Sequence, residues 1–287
     1  MNSRLLLLLL LFTFFSCEKQ YKYSNIDYES LKNPLDIFDL PDELDEISGM
    51  EMYSENELIA IDDEDGIIYI ISTETGKVTS EVDFGEKGDF EGLAYDGTYM
   101  YVITSGGDLY QIDPASPKSY RKYHWDIEGK EIESLAYFEG MLYSMTKEKS
   151  NSQEMVLFGL EPDKLGTSQP KAVMSIQLES IKNFLAQDED KSILKKFAKF
   201  ISGDNIYNFV RPSGITFIPE KNHLLILSHH NRFLMEITPD GEVHNIMSLS
   251  CEEFYQPEGI ALDSKGILFI SNESRGHLPN ILKFKYD

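Results

Sequence analysis

Asp89-Phe90-Glu91-Gly92-Leu93 is one of five related stretches that recur along the chain. In each of the others a charged or polar residue precedes glycine or, once, serine: Glu46-Ile47-Ser48-Gly49-Met50, Glu131-Ile132-Glu133-Ser134-Leu135, Arg211-Pro212-Ser213-Gly214-Ile215 and Gln256-Pro257-Glu258-Gly259-Ile260. The fourth positions of successive stretches are 43, 42, 80 and 45 residues apart. Repeats of this length are typical of β-propellers, in which each repeat forms one blade.

Each stretch is followed by short apolar runs that alternate with turn residues. In the fourth repeat, the runs at 224–227 and 233–237 flank the polar pair Asn231-Arg232, and a further run follows at 242–249. Strands rich in Ile, Leu, Tyr and Phe between Gly, Asp and Asn turns are typical of β-hairpins. Four such strands in each repeat describe a propeller blade. We therefore predict an all-β fold, a five-bladed β-propeller over residues 33–287.

The two ends of the domain complement each other. The fifth repeat ends soon after the apolar run at 281–284 and lacks an outer strand, whereas residues 35–40 alternate like a strand before the first repeat. We expect this N-terminal strand to complete the last blade, because a closed ring leaves no open sheet edge.

The spacing of 80 residues between the third and fourth repeats is nearly twice the period, which leaves six blades as an alternative. Ile181 and Leu185 recur at helical spacing, and so do Leu194 and Ile201. We therefore predict a helical insertion at about residues 179–203, which either packs against one end of the ring or covers the channel mouth.

The N-terminus has the pattern of an export signal. Arg4 precedes an apolar run at 5–11, which is too short to span a bilayer comfortably, and Cys17 follows shortly after it. We predict a lipoprotein signal peptide at 1–16, a lipid on Cys17 that attaches the protein to a membrane, and a tether at 17–32. The protein would then be extracytoplasmic and lipid-anchored in the cell envelope, in the periplasm or at the outer membrane. Ordinary secretion is the alternative. Cys251 would remain as the single thiol, without an internal disulfide.

Charge and missing motifs exclude several classes of function. The chain carries 49 Asp and Glu against 26 Lys and Arg, a formal net charge of −23. Such a surface repels phosphate backbones, so we expect no nucleic-acid partner. The sequence has neither a nucleophile elbow nor a phosphate-binding loop. An unidentified small molecule or protein is left as the ligand.

Acidic residues recur where the chain enters the innermost strand of a blade. The third position of the stretch should point toward the channel, and it is occupied by Glu91, Glu133 and Glu258 in three repeats. The loops after the second strands add Asp63 and Glu273. An alignment of the first and fifth repeats places Asp63 opposite Asn272, and Glu64 opposite Glu273.

Converging carboxylates repel one another unless protons or a cation balance them. Oxygen ligands without a Cys/His cluster suit Ca²⁺, or less well Mg²⁺. We therefore predict a Ca²⁺ site formed by Glu91, Glu133, Glu258, Asp63 and Glu273. The alternative is neutralisation by cations of the protein itself, for which the candidates are Lys147, Arg211, Arg232 and Arg275.

His229 and His230 lie beside the predicted channel mouth. Such histidines could act as a general base toward a metal-bound water, but they are more commonly half-buried loop residues.

The recurring stretches resemble a known family. Residues 46–50, 58–64 and 89–95 are similar to the opening of the SdiA-regulated family, also called the YjiK/CarP family, and residues 256–261 and 268–273 are similar to its closing blade. The resemblance implies an extracytoplasmic, membrane-attached propeller with a divalent metal in its channel and a binding or structural role, in one branch linked to calcium homeostasis. Lactonase-like propellers share the Glu-Gly-Ile/Leu motif, so a metal-dependent hydrolase is the alternative, and a protein-docking scaffold is a third.

Overall fold

The computed structural model describes residues 31–127, 130–149, 152–187, 203 and 205–286. Five four-stranded antiparallel sheets follow one another around a ring. The first strand is β1 (Asp36–Asp39). Blade 1 comprises β2 (Ile47–Ser54), β3 (Glu57–Asp62), β4 (Asp65–Ser72) and β5 (Val78–Lys87), and blade 2 comprises β6 (Phe90–Tyr95), β7 (Met100–Thr104), β8 (Asp108–Ile112) and β9 (Arg121–His124).

The remaining blades follow the same order along the chain. Blade 3 contains β11 (Ala136–Phe138), β12 (Met141–Ser144), β14 (Glu154–Leu160) and β15 (Lys171–Gln177), beside a two-stranded sheet of β10 (Lys130–Ile132) and β13 (Thr146–Glu148). Blade 4 comprises β16 (Pro212–Ile218), β17 (His223–Ser228), β18 (Phe233–Ile237) and β19 (Val243–Ser248). Blade 5 comprises β20 (Pro257–Leu262), β21 (Ile267–Asn272), β22 (Asn280–Lys285) and, on its outside, β1. The predicted five-bladed, all-β fold is confirmed.

Glycine at the fourth position of the stretch lets each innermost strand approach the next blade. A Cβ on Gly92 would lie 2.5 Å from the backbone nitrogen of Leu135 in blade 3. A Cβ on Gly259 would lie 2.9 Å from the Cβ of Met50, where blade 5 meets blade 1. Backbones this close leave no room for a side chain, so the repeated glycine is a packing requirement of the ring.

Ser134 replaces this glycine in blade 3, and there the inner strand is interrupted. β10 pairs with β13, whereas β11 pairs with β12 in the main sheet. Between the two, the Ser134 hydroxyl accepts a hydrogen bond from the backbone N–H of Met145 (3.2 Å), and its carbonyl accepts one from the Ser144 hydroxyl (2.8 Å). Side-chain hydrogen bonds thus satisfy backbone groups that the ladder leaves unpaired.

The core lies between neighbouring blades and is rich in aromatic rings. Phe84 of blade 1 packs against Phe90 and Tyr110 of blade 2, with ring centroids 5.5 Å away in both cases. Phe138 of blade 3 stacks on Phe217 of blade 4 at 4.5 Å. Large rings bury much apolar area, so they supply the stability of these inter-blade contacts.

The ring is closed by the N-terminal strand. β1 pairs antiparallel with β22, with Asp36 opposite Lys283 and Asp39 opposite Asn280. Phe38 is 6% exposed and lies against Gly76 of blade 1. Blade 5 therefore contains strands from both ends of the domain, as predicted.

One α-helix, α1 (Leu178–Ala186), lies among the described residues. It buries Leu178, Ile181 and Leu185, and the Ser180 hydroxyl donates to Glu242 (2.7 Å) beside β19. The helix thus packs on the outer strands of blades 3 and 4. The second helix of the predicted insertion falls at 194–201, outside the described residues. Short 3₁₀ helices occur at Asp42–Leu44, Pro117–Ser119, Pro162–Lys164 and Ile206–Asn208.

The predicted signal peptide at 1–16, Cys17 and nearly all of the tether at 17–32 fall outside the described residues. No helix in the described ranges has the length and apolar character needed to cross a bilayer. Cys251 forms a disulfide bond, and the described residues include no free cysteine. This differs from the predicted free thiol at Cys251. Because the sequence contains only two cysteines, a disulfide within the chain and a lipid on Cys17 exclude each other.

Candidate functional site

The five recurring stretches meet at one small cavity on the ring axis. Its volume is about 10 Å³, room for roughly one water molecule or ion. The polar residues that line it are Ser48, Glu91, Ser134, Ser213 and Glu258. Glu91 and Glu258 thus lie at this cavity, whereas Glu133 is not one of the residues that line it.

Ser48 and Ser213 have another role. The Ser48 hydroxyl donates to the carbonyl of Phe90 (2.6 Å), and the Ser213 hydroxyl donates to that of Pro257 (2.9 Å). Each serine therefore ties its blade to the next one through a buried hydrogen bond. The carboxylates are left as the charged groups of the third-position ring.

A second ring of residues lies beside the ring of third-position residues. The register of the strands identifies its members. Asp62 is paired with Ile47 in blade 1, and Asn272 is paired with Pro257 in blade 5, so Asp62 and Asn272 are equivalent. The alignment of Asp63 with Asn272 is wrong by one residue, because sequence similarity does not fix the register of short strands. In blades 1, 2, 4 and 5 its members directly follow the second strand: Asp63, Ser105, His229 and Glu273. In blade 3 the equivalent residue is Lys147 on β13, which follows the pair Ile132–Thr146.

Cations of the protein compensate the carboxylates on the side of blades 3 and 4. Lys147 Nζ lies 2.7 Å from Glu133 Oε1 and 3.6 Å from Glu131. Burial lowers the pKa of Lys147, but the hydrogen bond to Glu133 and the surrounding carboxylates outweigh it and leave the pKa above its usual value. Burial raises the pKa of Glu133 to about 7 although Lys147 opposes the change. For Glu133, the ion-pair alternative describes the structure.

Glu258 has two polar partners, of which one can carry a positive charge. His229 Nδ1 lies 3.5 Å from Glu258 Oε1, and the side-chain amide of Gln256 donates to the same oxygen at 2.7 Å. Burial lowers the pKa of His229, but the hydrogen bond and charge of Glu258 raise it above its ordinary value overall. His229 is therefore held toward its protonated form.

Among the described residues, Glu91 has no hydrogen-bonded cation as a partner, and its neutral form is favoured instead. Burial, followed by the charges of Glu133, Asp89 and Glu258, raises its pKa to about 10, and only Lys147 opposes this. A carboxyl group close to other carboxylates in a low-dielectric site is expected to be neutral at pH 7.

Asp63 and Glu273 meet at the seam between blades 1 and 5. This seam is acidic, and cations of the protein balance little of its negative charge. Burial and the charges of Glu46, Asp62, Glu273 and Glu64 raise the pKa of Asp63 to about 7. Burial and the charge of Glu258 likewise raise the pKa of Glu273 to about 7, against the opposing effect of Arg275.

One oxygen at this seam lacks a hydrogen-bond donor: Asp63 Oδ1 is buried and accepts no hydrogen bond from the described residues. Asn272 Oδ1 is also buried and unpaired, but the Asn272 amide donates to the Glu253 carbonyl and to Asn280, away from the seam. Arg275 Nε contacts Glu273 Oε2 at 3.1 Å but is 65% exposed, so its stabilising effect is small. This seam offers acceptor oxygens without enough positive charge.

The five predicted ligands thus form two linked groups. Glu91, Glu133 and Glu258 interact around the axis, whereas Asp63 and Glu273 interact at the seam. Glu258 belongs to both, because its charge raises the pKa of Glu273. Of the other predicted cations, Arg211 lies 3.6 Å from Glu148, and Arg232 donates to the carbonyl of Tyr255 at 3.2 Å.

Glu51 was not predicted to face the channel. It lies three residues beyond Ser48 on β2, about 10 Å further along the strand. Its carboxylate accepts the N–H of Met52 (2.8 Å), and backbone hydrogen bonds from Met52 and Tyr137 oppose the burial that raises its pKa to about 7. The signal was present in the sequence, because the other four repeats have Ala or Thr at this position.

A separate group of possible ligands lies in blade 4. His223, Glu236 and His244 each present a ligand atom, and these atoms all lie within 4.8 Å of one another. This group could not be identified from the sequence, since its members are spread over three strands.

The resemblance predicted from the sequence is confirmed by comparison with known families. The model of the SdiA-regulated family matches residues 169–281. Among solved structures, the chain is similar to the glutaminyl cyclase of Myxococcus xanthus, with 16% identity, 88% of this chain and 94% of that chain covered, and a TM-score of 0.57. At such low identity the likeness shows the propeller fold alone.

Two further structures are more distant. The nidogen/laminin complex matches with 12% identity over 79% of this chain and 72% of that chain, at a TM-score of 0.49. A protein of unknown function from Bacteroides caccae matches with 14% identity, with 76% of this chain and 66% of that chain covered and a TM-score of 0.43.

Proposed function

We propose that this protein is a lipid-anchored, extracytoplasmic β-propeller that binds a divalent cation, calcium, at its channel mouth and has a binding or structural role in calcium handling. The observation that carries the proposal is the seam between blades 1 and 5. There, the carboxyl groups of Asp63 and Glu273 both have pKa values of about 7, and Asp63 Oδ1 is buried without a donor among the described residues. Such a site lacks positive charge.

The chemistry of the donors supports a hard cation. Asp63 and Glu273 offer carboxylate oxygens, which calcium prefers. When bound, calcium would supply the positive charge that these groups otherwise obtain from protons. Glu133 and Glu258 already have Lys147 and His229 as partners, so we assign them to the wall of the site.

Thermal unfolding with and without calcium tests this proposal. We expect calcium to raise the Tm of the metal-stripped wild type by several degrees, because a hundredfold excess over Kd contributes about 2.7 kcal/mol. The combined substitution Asp63→Asn and Glu273→Gln should abolish the shift. Because the ligands must lose their protons, the shift should be larger at pH 8 than at pH 6.

Glu81→Gln is the matched control, since Glu81 is an exposed carboxylate on β5 away from the channel. It should respond to calcium like the wild type. The double variant Glu91→Gln and Glu133→Gln separates the two carboxylate groups, and it should retain the shift if the seam is the site. A wild type that does not respond to millimolar calcium would contradict the proposal.

The lipid anchor is tested by the chemistry of cysteine. Cys251 is disulfide-bonded in the structure, and the sequence contains one other cysteine, Cys17, so the proposed lipid on Cys17 requires that Cys251 is a free thiol in the mature protein. We expect the intact mass of the membrane-extracted protein to include acyl chains. The substitution Cys17→Ser should release the protein from the membrane. An unlipidated mass with no free thiols would instead indicate an intrachain disulfide and ordinary secretion.

His229 favours a second candidate, a metal-dependent hydrolase. It is half-buried at the mouth, its pKa is raised, and Glu258 lies 3.5 Å away, an arrangement suited to donating a proton. This candidate predicts hydrolysis of lactones or phosphoesters that chelation abolishes and that His229→Gln reduces at least about a hundredfold. Calcium binding without turnover would favour the binding role.

A further inference from the structure

We propose a second metal site, specific for a transition metal of the zinc class, at the end of blade 4 opposite the channel mouth. Its ligands are His223, Glu236 and His244. His223 begins β17, and Ser228 ends that strand beside the mouth, so the two sites are separated by about 16 Å along the strand. The cluster therefore does not belong to the calcium site.

The donor set decides the class of metal. Two imidazoles and one carboxylate, with their ligand atoms within 4.8 Å of one another, form a nitrogen-rich set that suits Zn²⁺, Cu²⁺ or Ni²⁺ better than Ca²⁺. Three protein ligands would leave one coordination position for water or another ligand.

The carboxylate is already oriented by its surroundings. Glu236 is 3% exposed; His223 Nδ1 contacts its Oε1 at 2.7 Å, and the Tyr286 hydroxyl donates to its Oε2 at 2.8 Å. A hydrogen bond from behind the ligating group is the usual support of a metal ligand. Lys221 Nζ lies 3.5 Å from Oε1, but its side chain is 43% exposed and has room to move away.

His244 is the residue that a purely structural network does not need. His223 and Tyr286 suffice to satisfy the buried carboxylate of Glu236. His244 is nevertheless placed with its ring 5.1 Å from that of His223, on the solvent-exposed side of the cluster. Its position gives a metal access from solvent and supplies the third ligand.

Zinc titration of the untagged, metal-stripped protein by calorimetry tests the proposal. We expect one zinc site that His244→Gln weakens at least about tenfold, since even the loss of a supporting group costs a metal site that much. Because His244 is exposed, the variant should fold, which its melting curve will show. In the NMR spectrum, zinc should shift the imidazole signals of His223 and His244.

His124→Gln is the matched control, because His124 is also exposed and its Nδ1 lies 3.1 Å from one carboxylate, that of Asp108. It should bind zinc like the wild type, and so should His229→Gln at the channel mouth. The proposal is overturned if the wild type binds no zinc at micromolar concentration, if His244→Gln binds it unchanged, or if binding is lost in His229→Gln instead.

Discussion

Glu91 shows how burial decides the charge of a residue whose position the sequence already predicts. The recurring stretch places it at the axis, and the cavity lining agrees. Its charge state could not be predicted, because it depends on the distances to Glu133, Asp89 and Glu258. The same holds for Glu133, whose partner Lys147 comes from another strand. A motif therefore predicts which residues converge and leaves open how they are neutralised.

The raised pKa of Glu91 makes stability depend on pH. The unfolded chain loses this proton near pH 4.5 and the folded protein only near pH 10, so the free energy of unfolding should fall as pH rises between these values. Glutamine cannot ionise, and Glu91→Gln should remove this part of the fall. The variant should thus gain Tm relative to the wild type from pH 5 to pH 9, measured in EDTA.

Glu81→Gln again serves as the control, because it changes an exposed carboxylate and leaves the channel intact. Its melting curves should follow those of the wild type at every pH. Parallel pH profiles for Glu91→Gln and the wild type would mean that Glu91 is ionised in the folded protein.

At the scale of the element, the strands could be predicted because hydrophobic alternation and turn residues are local signals. The interruption in blade 3 could not, since it depends on how the Ser134 side chain replaces ladder hydrogen bonds. The register of the strands could not be predicted from the sequence either. The error of one residue aligned Asp63 with Asn272, whereas the strand pairing aligns it with Glu273.

The close packing of the inner strands predicts that the repeated glycine cannot be replaced without a loss of stability. Gly92→Ala would place a Cβ 2.5 Å from the backbone of Leu135, so we expect a loss of about 3 kcal/mol from overpacking. Gly106→Ala is the control, because its nearest neighbour would be the Thr104 hydroxyl at 3.9 Å. It should change stability by less than about 1 kcal/mol in urea unfolding. Equal effects would contradict the role assigned to the repeated glycine.

At the scale of the whole molecule, ring closure was predictable because an incomplete last repeat and a spare first strand are both visible in the sequence. What the sequence lacks is the contact that holds the closure. Phe38 lies between blade 5 and Gly76 of blade 1, and Lys283 Nζ is 5.9 Å from its ring centroid. One side chain thus joins the first strand to both blades at the joint.

This joint can be tested with two neighbouring residues of β1. Phe38 is 6% exposed and Ile37 is 49% exposed, although both belong to the same edge strand. Phe38→Ala should cost about 3 kcal/mol because it removes a buried ring at the closure, whereas Ile37→Ala should cost about 0.5 kcal/mol. Urea midpoints of the two variants measure the difference. Similar midpoints would mean that the backbone pairing of β1 with β22 holds the ring closed without Phe38.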